Sequence, residues 1–286
     1  MSRIAYVNGR YVPHGQASIH VEDRGFQFAD GVYEVCEVRN GRLIDERRHL
    51  DRLDRSLGEL RIASPMSRAA LGLVLRETVR RNGVRNGMVY LQVTRGVARR
   101  DHAFPLAAVP PSVVVTARRA DVAAQEQAAR SGAKVISWRD DRWSRVDIKT
   151  VGLLPNVLAK QAAKEAGARE AWLVDAAGFV TEGASTNAWI VTPAGVIVTR
   201  PAETGILRGI TRTVVLDVAA ALGYRVEERP FTLAEAHGAA EAFITAASTL
   251  VMPVVMLDGK AIGDGRPGPV AVALRQRFHE FAEASA

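Results

Sequence analysis

The start of the chain alternates apolar and polar positions in short runs that are separated by turn signals. Residues 4–7 and 10–12 flank Asn8-Gly9, and residues 32–39 and 42–44 flank Asn40-Gly41. Asn-Gly between two alternating runs is the strongest short-range signal for a β-hairpin, because both residues tolerate positive φ. The pattern therefore predicts two hairpins in the first part of the chain.

Helical periodicity follows the second hairpin. Leucines recur every three or four residues over 47–61, which predicts an amphipathic helix. A second helix is predicted to begin after Ser67, a favourable N-cap. Apolar runs at 88–93 and 112–116 predict two buried strands, and a long polar loop lies between them. This part of the chain is therefore predicted to be an α+β module with two helices on one side of its hairpins.

A polar, alanine-rich segment over 118–130 is predicted to contain a domain boundary. We expect a small N-terminal domain of residues 1–120 and a larger domain of residues 121–286. Thr232 and Glu235 match the capping box at the start of a short helix. Strands are predicted over 133–138, 171–175, 179–181, 189–191, 196–199, 224–227, 242–245 and 251–257, and helices over 155–166, 211–222 and 269–283.

Composition narrows the classes of protein. A chain of 286 residues with 48% hydrophobic content suits a globular protein of one large domain or of two, and we expect two. It has no long apolar run and no signal-peptide pattern at its start, so neither a membrane span nor export is expected. The single cysteine, Cys36, excludes internal disulfides and thiolate-rich metal sites. We therefore expect a cytoplasmic protein without a metal site.

The net charge of +7 does not predict nucleic-acid binding, because the arginines are scattered and interleaved with acids. Only five of the 38 basic residues are lysines. Unlike arginine, lysine can lose its proton and become a nucleophile. Lys149, between Ile148 and Val151, is therefore a candidate for covalent chemistry, although a surface lysine is the commoner explanation of such a residue.

Two further features of the second part bear on Lys149. Glu182 ends a predicted strand, and a glycine-punctuated loop over 205–209 enters a helix whose first turn contains Thr211. Exposed amides at a helix N-terminus bind anions. A lysine, a carboxylate and a phosphate-binding helix are together what pyridoxal phosphate requires. Arg52 could add a bidentate contact to the phosphate.

Several motifs resemble those of the class IV pyridoxal-phosphate aminotransferases. They match in order and spacing, the resemblance covers nearly the whole chain, and within the family it is strongest to the D-amino-acid aminotransferases. It implies a fold-type-IV enzyme of the α+β class, with a small N-terminal α/β sandwich and a larger domain built on a β pseudo-barrel. These motifs are Asp23–Glu34, Asp147-Ile148-Lys149, Leu158–Gln161, Thr181-Glu182-Gly183 and Gly209–Arg212.

The resemblance also implies a role for each matching residue. Lys149 would bind pyridoxal phosphate covalently and move the substrate proton, and Glu182 would pair with the pyridine nitrogen. The substrate carboxylate would be bound by Tyr33 and, across a homodimer, by Arg100 and His102 of the partner subunit. The phosphate and the ring of the cofactor would be held by Arg52, Leu207, Ile210 and Thr211.

Two departures from the family pattern stand out. Ala247 occupies a position where a threonine usually contacts the phosphate, so only its amide or the hydroxyl of Ser248 could serve. The stretch after Glu182 contains Ala184 where close relatives have more serine. These changes bear on cofactor affinity and on side-chain preference.

The resemblance implies a ping-pong transfer of the amino group from D-amino acids, such as D-alanine or D-glutamate, to 2-oxoglutarate or pyruvate. The alternatives within the family are a branched-chain L-amino-acid aminotransferase and an (R)-amine aminotransferase. A non-catalytic relative that binds pyridoxal phosphate is the alternative from a different class.

Overall fold

A computed structural model of the chain describes residues 3–203 and 205–285. Its contacts divide the chain into two compact units. The first contains Met1–Val122, Ile148–Gly152 and Glu283–Ala286, and the second contains Ala123–Asp147 and Leu153–Ala282. The sequence placed Lys149 in the second domain, whereas its short segment groups with the first unit.

The first unit is built on an antiparallel sheet, which has six strands within the described residues. The strands are β1 (Ile4–Val7), β2 (Arg10–Pro13), β3 (Gly31–Arg39), β4 (Arg42–Leu43), β5 (Gly87–Thr94) and β6 (Ser112–Arg119). Their order in the sheet is β2-β1-β6-β5-β3-β4. Both predicted hairpins are present, with positive φ at Asn8, Gly9, Asn40 and Gly41 as their turn type requires.

Two short elements of this unit were not predicted: a 3-10 helix at His14–Gln16 and the helix α1 (Arg24–Phe28). The two predicted helices are α2 (Glu46–Glu59) and α3 (Arg68–Arg81). The side chain of Ser67 accepts a hydrogen bond from the amide of Ala70, which confirms the predicted N-cap. Five leucines of these helices pack with alternate residues of the sheet in one hydrophobic core, namely Leu50, Leu53 and Leu57 of α2 and Leu71 and Leu75 of α3.

The second unit contains a mixed sheet, which has ten strands among the described residues. The strands are β7 (Ala133–Arg139), β8 (Glu170–Val174), β9 (Phe179–Gly183), β10 (Asn187–Val191), β11 (Ile197–Thr199), β12 (Val226–Glu228), β13 (Phe231–Thr232), β14 (Glu241–Ala246), β15 (Leu250–Leu257) and β16 (Lys260–Ala261). The main path runs β12-β11-β10-β14-β15-β7-β8-β9-β13, and β16 pairs with β15.

Helices cover this sheet. They are α4 (Val122–Ser131), α5 (Leu154–Glu165), α6 (Ile210–Ala221), α7 (Leu233–His237) and α8 (Pro269–Phe281). Successive residues of β14 point to opposite faces, so Phe243 joins the hydrophobic cluster of α6 and α8 while Ile244 joins another. The capping box of Thr232 and Glu235 is confirmed at the start of α7.

The segment 118–130, in which the domain boundary was expected, contains the end of β6 and most of α4, and the two units divide between Val122 and Ala123. Alanine has the highest helix propensity, so the alanine-rich composition of this segment favours a helix. Among the residues with described positions, no helix has the length and apolar character that a membrane crossing requires.

The irregular stretch 140–153 joins β7 to α5. Strands β7 and β8 are parallel, so the chain between them must cross over, and α5 forms part of that crossover. Lys149 lies in this stretch, and Arg142 lies near its beginning.

Candidate active site

The backbone around Lys149 pairs with β3. The carbonyl of Lys149 accepts a hydrogen bond from the amide of Tyr33 at 3.0 Å, and the amide of Val151 donates to the carbonyl of Gly31 at 3.1 Å. Ile148 is buried in the core of the first unit. Lys149 is therefore held on both sides by main-chain contacts, which a freely moving surface lysine would lack.

The Lys149 amine lies over an aromatic ring. Its Nζ is 4.2 Å from the ring centroid of Tyr33, and that ring stacks on Tyr90 at 5.6 Å. Within residues 3–203 and 205–285 no carboxylate pairs with this amine, whereas Lys160 lies 3.3 Å from Glu170. Burial raises the pKa of Tyr90 to about 12, so the phenol of this second stacked ring stays neutral.

Arg52 lies on α2 and binds Glu34 of β3 in a bidentate pair. Its Nε and Nη2 donate to the two carboxylate oxygens at 2.7 Å and 2.8 Å, and Nδ1 of His49 is 2.7 Å from Oε2. Burial alone would raise the pKa of Glu34, but the charge and hydrogen bonds of Arg52 and His49 lower that pKa to about 2. Glu34 is therefore ionised, and it fixes the plane of the Arg52 guanidinium.

Sequence reasoning does not single out Glu34 or His49. The sequence does contain a signal for Glu34. This acid takes a core-facing position of β3 between Val32 and Cys36, both of which are buried. A charged residue at such a position is almost never fully buried unless it is paired.

Glu182 lies near the end of β9 in the second unit and is almost fully buried. Its carboxylate accepts a hydrogen bond from Nη1 of Arg142 and another from Nδ2 of Asn187 at 3.0 Å. The amide of Leu207 lies 3.3 Å from both oxygens. The arrangement holds Glu182 as an oriented carboxylate with a cation beside it.

Arg142 is itself held by a second carboxylate. Its Nε and Nη2 each donate to Asp140 at 2.8 Å, and Oγ1 of Thr181 donates to Asp140 at 2.7 Å. Burial alone would lower the pKa of Arg142, but Asp140 and Glu182 outweigh burial and raise it. Arg142 is therefore a permanent cation in contact with Glu182, a role that the sequence does not reveal.

The helix α6 begins beside this cluster. Gly209 is its N-cap and provides no side-chain cap, so the first N–H groups, which include those of Ile210 and Thr211, have no intrahelical acceptor. A Cβ atom on Gly209 would overlap Oδ1 of Asn187. Asn187 also donates to the carbonyl of Leu207 at 3.0 Å. It therefore ties Glu182, Leu207 and the start of α6 together.

Ala247 lies in the turn between β14 and β15. The strand before this turn ends beside Asn187, which pairs with Thr245. Ser248 accepts a hydrogen bond from Gln125 through its carbonyl. Among the residues with described positions, the buried Oγ1 of Thr249 has no hydrogen-bond partner. Thr249 therefore has a hydroxyl that could bind a ligand in this turn, and a role for the hydroxyl of Ser248 stays a prediction.

Arg100 and His102 lie in the long loop between β5 and β6 of the first unit. The Arg100 guanidinium carbon is 5.2 Å from the ring centroid of Phe28, and the His102 ring is 5.4 Å from it. Both side chains are exposed. Tyr33, the third predicted carboxylate ligand, projects from β3 under Lys149.

The structure thus groups the predicted residues within each unit. In the first unit, β3 connects Lys149, Tyr33 and Arg52, the last through Glu34. In the second, Asn187 connects the remaining cluster, which contains Glu182, Leu207, Ile210 and Thr211, with Ala247 in the turn that follows β14.

These groups have the chemistry that pyridoxal phosphate needs. A buried carboxylate that is paired with an arginine suits a protonated pyridine nitrogen, and uncapped helix amides suit a phosphate. The orphan hydroxyl of Thr249 is a further donor in the turn that contains Ala247. The residues present therefore fit the cofactor.

Sequence comparison identifies the family. The family model for amino-transferase class IV matches residues 31–257. The chain is 43% identical over 263 residues to a D-alanine aminotransferase of Bacillus licheniformis, covering 92% of this chain and 91% of the relative. It is 39% identical over 275 residues to a D-alanine aminotransferase of Listeria innocua, covering 96% and 94%.

Structural comparison agrees. A branched-chain amino acid aminotransferase of T.th. with pyridoxamine 5'-phosphate superposes with a TM-score of 0.89 at 30% identity, covering 98% of this chain and 94% of that one. This likeness confirms the predicted fold-type-IV architecture. The match to the family model over most of the chain establishes that the protein is a class IV aminotransferase, a pyridoxal-phosphate-dependent enzyme.

Proposed function

We propose that the enzyme transfers the amino group of D-amino acids, such as D-alanine and D-glutamate, to 2-oxoglutarate or pyruvate. The observation that carries this proposal is its 43% identity to a D-alanine aminotransferase along 92% of its length. The Arg100-Asp101-His102 sequence in the β5–β6 loop supports it, since an arginine beside a histidine suits a substrate carboxylate.

Lys149 is the residue that holds the cofactor covalently and moves the proton of the substrate α-carbon. When bound, the cofactor withdraws electrons from the α-carbon and so makes that proton acidic. Two features of Lys149 suit this role. No described carboxylate forms an ion pair with its amine, which lies over the ring of Tyr33, and its backbone is fixed against β3. A fixed backbone limits the positions that the amine can reach, which favours proton transfer at one face of the substrate.

Glu182 would accept a hydrogen bond from the pyridine nitrogen of the bound cofactor and so keep that nitrogen protonated. Arg142 and Asn187 support Glu182 by holding its carboxylate ionised and in one orientation. The residues that would hold the phosphate are Ile210 and Thr211, through their amides, and Arg52, through its cation. Leu207 would pack on the ring, and the amide of Ala247 would take the place of the missing threonine hydroxyl.

The substrate carboxylate is bound by Tyr33 together with Arg100 and His102 of the partner subunit. This assignment requires a homodimer, which we propose as the working assembly. It also explains why Arg100 and His102 are exposed on the loop of a single chain.

Half-reactions with paired amino acids test the substrate class. The absorption of the bound cofactor should change on addition of D-alanine or D-glutamate, and it should stay unchanged with L-leucine or L-alanine. The opposite preference would assign the enzyme to the branched-chain group. No change with either hand, in a protein that carries the cofactor, would indicate a non-catalytic relative.

A mixture of an inactive variant and a weakened one tests the shared site. Lys149→Ala lacks the lysine, and Arg100→Ala lacks the loop cation and should have a raised KM. In a heterodimer, one site would combine the intact Lys149 of one chain with the intact Arg100 of the other. Activity is measured at a D-alanine concentration well below the KM of Arg100→Ala. A rise above the activity of Arg100→Ala alone, after the two variants are unfolded and refolded together, supports the proposal. Mixtures that show no such rise would place Arg100 in its own subunit's site or outside any site.

A branched-chain L-amino-acid aminotransferase is the second candidate. It is favoured by the TM-score of 0.89 to the branched-chain enzyme named above. An (R)-amine aminotransferase is the third, and it would have less use for an arginine at the carboxylate position. Activity on (R)-amines that survives Arg100→Ala unchanged would favour that third function.

A further inference from the structure

The β5–β6 loop, residues 95–111, is long and has no regular structure along most of its length. Holding the backbone of an irregular loop in one conformation costs conformational entropy. A loop of this kind presents Arg100 and His102 in one position only if other contacts hold it. Its tip has few, since Leu106 is fully exposed. The contacts that hold it must therefore lie nearer its base.

Arg24 provides one such contact. This residue is the first of α1, and its side chain is buried, with 3% of its area exposed. Its Nη1 donates to the carbonyl of Asp101 at 2.5 Å, and its Nη2 lies 3.4 Å from the carbonyl of His102. One guanidinium thus holds the carbonyls of the two residues that directly follow Arg100.

Arg95 provides the second contact. It stacks on Phe104 with its guanidinium carbon 3.7 Å from the ring centroid. Its Nη1 and Nη2 donate to the carbonyls of Arg61 and Leu60, at 3.0 Å and 2.7 Å. Arg95 therefore fixes the loop on the far side of His102 and ties it to the end of α2.

Both arginines bind one carboxylate, that of Asp30. Nε of Arg24 donates to Asp30 at 2.8 Å, and Nε and Nη2 of Arg95 donate to it at 2.7 Å and 2.9 Å. The three side chains are all at least nine-tenths buried. Burial alone would raise the pKa of Asp30, but the two arginines outweigh it and lower that pKa. Asp30 is thus an ionised carboxylate that binds both guanidinium groups and fixes their planes.

Phe28 completes the arrangement. The guanidinium of Arg24 lies 4.8 Å from the centroid of its ring, and the side chains of Arg100 and His102 contact the same ring. The ring is therefore a shared surface for the residue that holds the loop and for the two that the loop presents.

We propose that Asp30, Arg24 and Arg95 form a clamp that positions Arg100 and His102 for the carboxylate of the substrate. The clamp residues are positioning residues, which act on substrate affinity through the loop and touch neither substrate nor cofactor. This inference rests on the proposed function, because it takes the loop to be the carboxylate-binding element.

A double-mutant cycle between Arg24 and Arg100 tests the clamp in the enzyme with its cofactor bound. Arg24→Ala should raise the KM for D-alanine and for pyruvate by about 10- to 100-fold, the range of a lost charge-assisted hydrogen bond. It should leave kcat and the absorption of the bound cofactor near wild type. In the Arg100→Ala background the same change should add little, because residues that act as one unit are not additive.

Arg68→Ala is the matched control. Arg68 also joins two aspartates, at 2.5 Å to Asp51 and 2.7 Å to Asp54, but it lies on α3 and is half exposed. Its loss should leave KM unchanged. Arg24→Lys is the second variant in case Arg24→Ala folds poorly. It keeps a cation beside Asp30 but lacks the fork that reaches both carbonyls, so its KM should lie between those of the wild type and Arg24→Ala.

The outcomes separate the clamp from the loop's proposed role. If Arg100→Ala raises KM while both Arg24 variants leave it unchanged, the clamp is wrong and the loop's role stands. Effects of Arg24→Ala and Arg100→Ala that simply add would likewise overturn the clamp. If Arg100→Ala has no effect on KM, the loop does not bind the carboxylate, and the clamp is overturned together with that role.

Discussion

Glu34 binds the guanidinium of Arg52 through both of its carboxylate oxygens. The pKa of Glu34 is lowered to about 2 in the folded protein, from about 4.3 in an unfolded chain. A lowered pKa stabilises the fold above the unfolded value, and this contribution is lost as the pH falls towards 2. The loss amounts to at most about 3 kcal/mol of unfolding free energy.

Glu34→Gln should therefore flatten the fall in stability between about pH 4 and pH 2, as measured by urea unfolding at a series of pH values. The matched control is Glu77→Gln. Glu77 pairs with Arg80 and Arg81, and its pKa is also lowered to about 2, yet it lies at the surface, where solvent screens the pair. A profile for Glu77→Gln as flat as that of Glu34→Gln would show that burial of the pair is unimportant.

Arg142→Ala should weaken cofactor binding and lower kcat, because it leaves two buried carboxylates, Asp140 and Glu182, without their shared cation. Removing one member of a buried ion pair typically costs about 3–5 kcal/mol in stability. The measurements are the dissociation constant of the cofactor and the thermal midpoint of the enzyme. Arg145→Ala is the control, since Arg145 lies in the same stretch but is half exposed. Equal effects of the two variants would contradict the role given to Arg142.

Gly209→Ala should weaken cofactor binding, because its new Cβ would push Asn187 away from Glu182 and Leu207. Gly58→Ala serves as the control, because alanine at that position meets no neighbouring atom. Gly58 lies exposed on α2 with open space around it, so alanine there should stabilise the protein by about 0.5–1 kcal/mol. Cofactor titration and urea unfolding measure the two effects. Unchanged cofactor affinity in Gly209→Ala would mean that Asn187 does not orient the site.

Lys149→Ala should abolish transamination, and borohydride treatment of the wild type should attach the cofactor to the peptide that contains Lys149. Mass mapping of the labelled protein identifies that peptide. Lys160→Ala is the control, because Lys160 is occupied by Glu170 and by the carbonyl of Arg169. Transamination by Lys149→Ala at the wild-type rate would remove this lysine from the mechanism.

Local signals predicted much of the fold. The Asn-Gly turns, the cap at Ser67 and the capping box at Thr232 each fix a conformation through residues adjacent in sequence, and all are present. The α4 helix was missed because its alanine-rich sequence suits a linker and a helix equally. The helix α1 was missed because it has only five residues, too few to show a period.

Sequence reasoning could propose a site residue where a motif names it or, as for Arg52, where a predicted helix carries it. Lys149 and Glu182 lie in such motifs. The partners that hold them do not, because Arg142 and Asn187 reach Glu182 from positions 40 and five residues away, on different elements. Likewise, Arg24 and Asp101 meet across 77 positions. Contacts of that kind depend on the fold, and no local pattern encodes them.

The five residues Ile148–Gly152 belong by contacts to the first unit, although the chain on both sides of them belongs to the second. This placement matters for exchanging parts between related enzymes. A chimera joined once near residue 120 would supply the lysine from one parent and its pairing strand, β3, from the other. A faithful exchange of the first unit must carry three separate pieces of sequence, and the one internal piece contains the reactive amine.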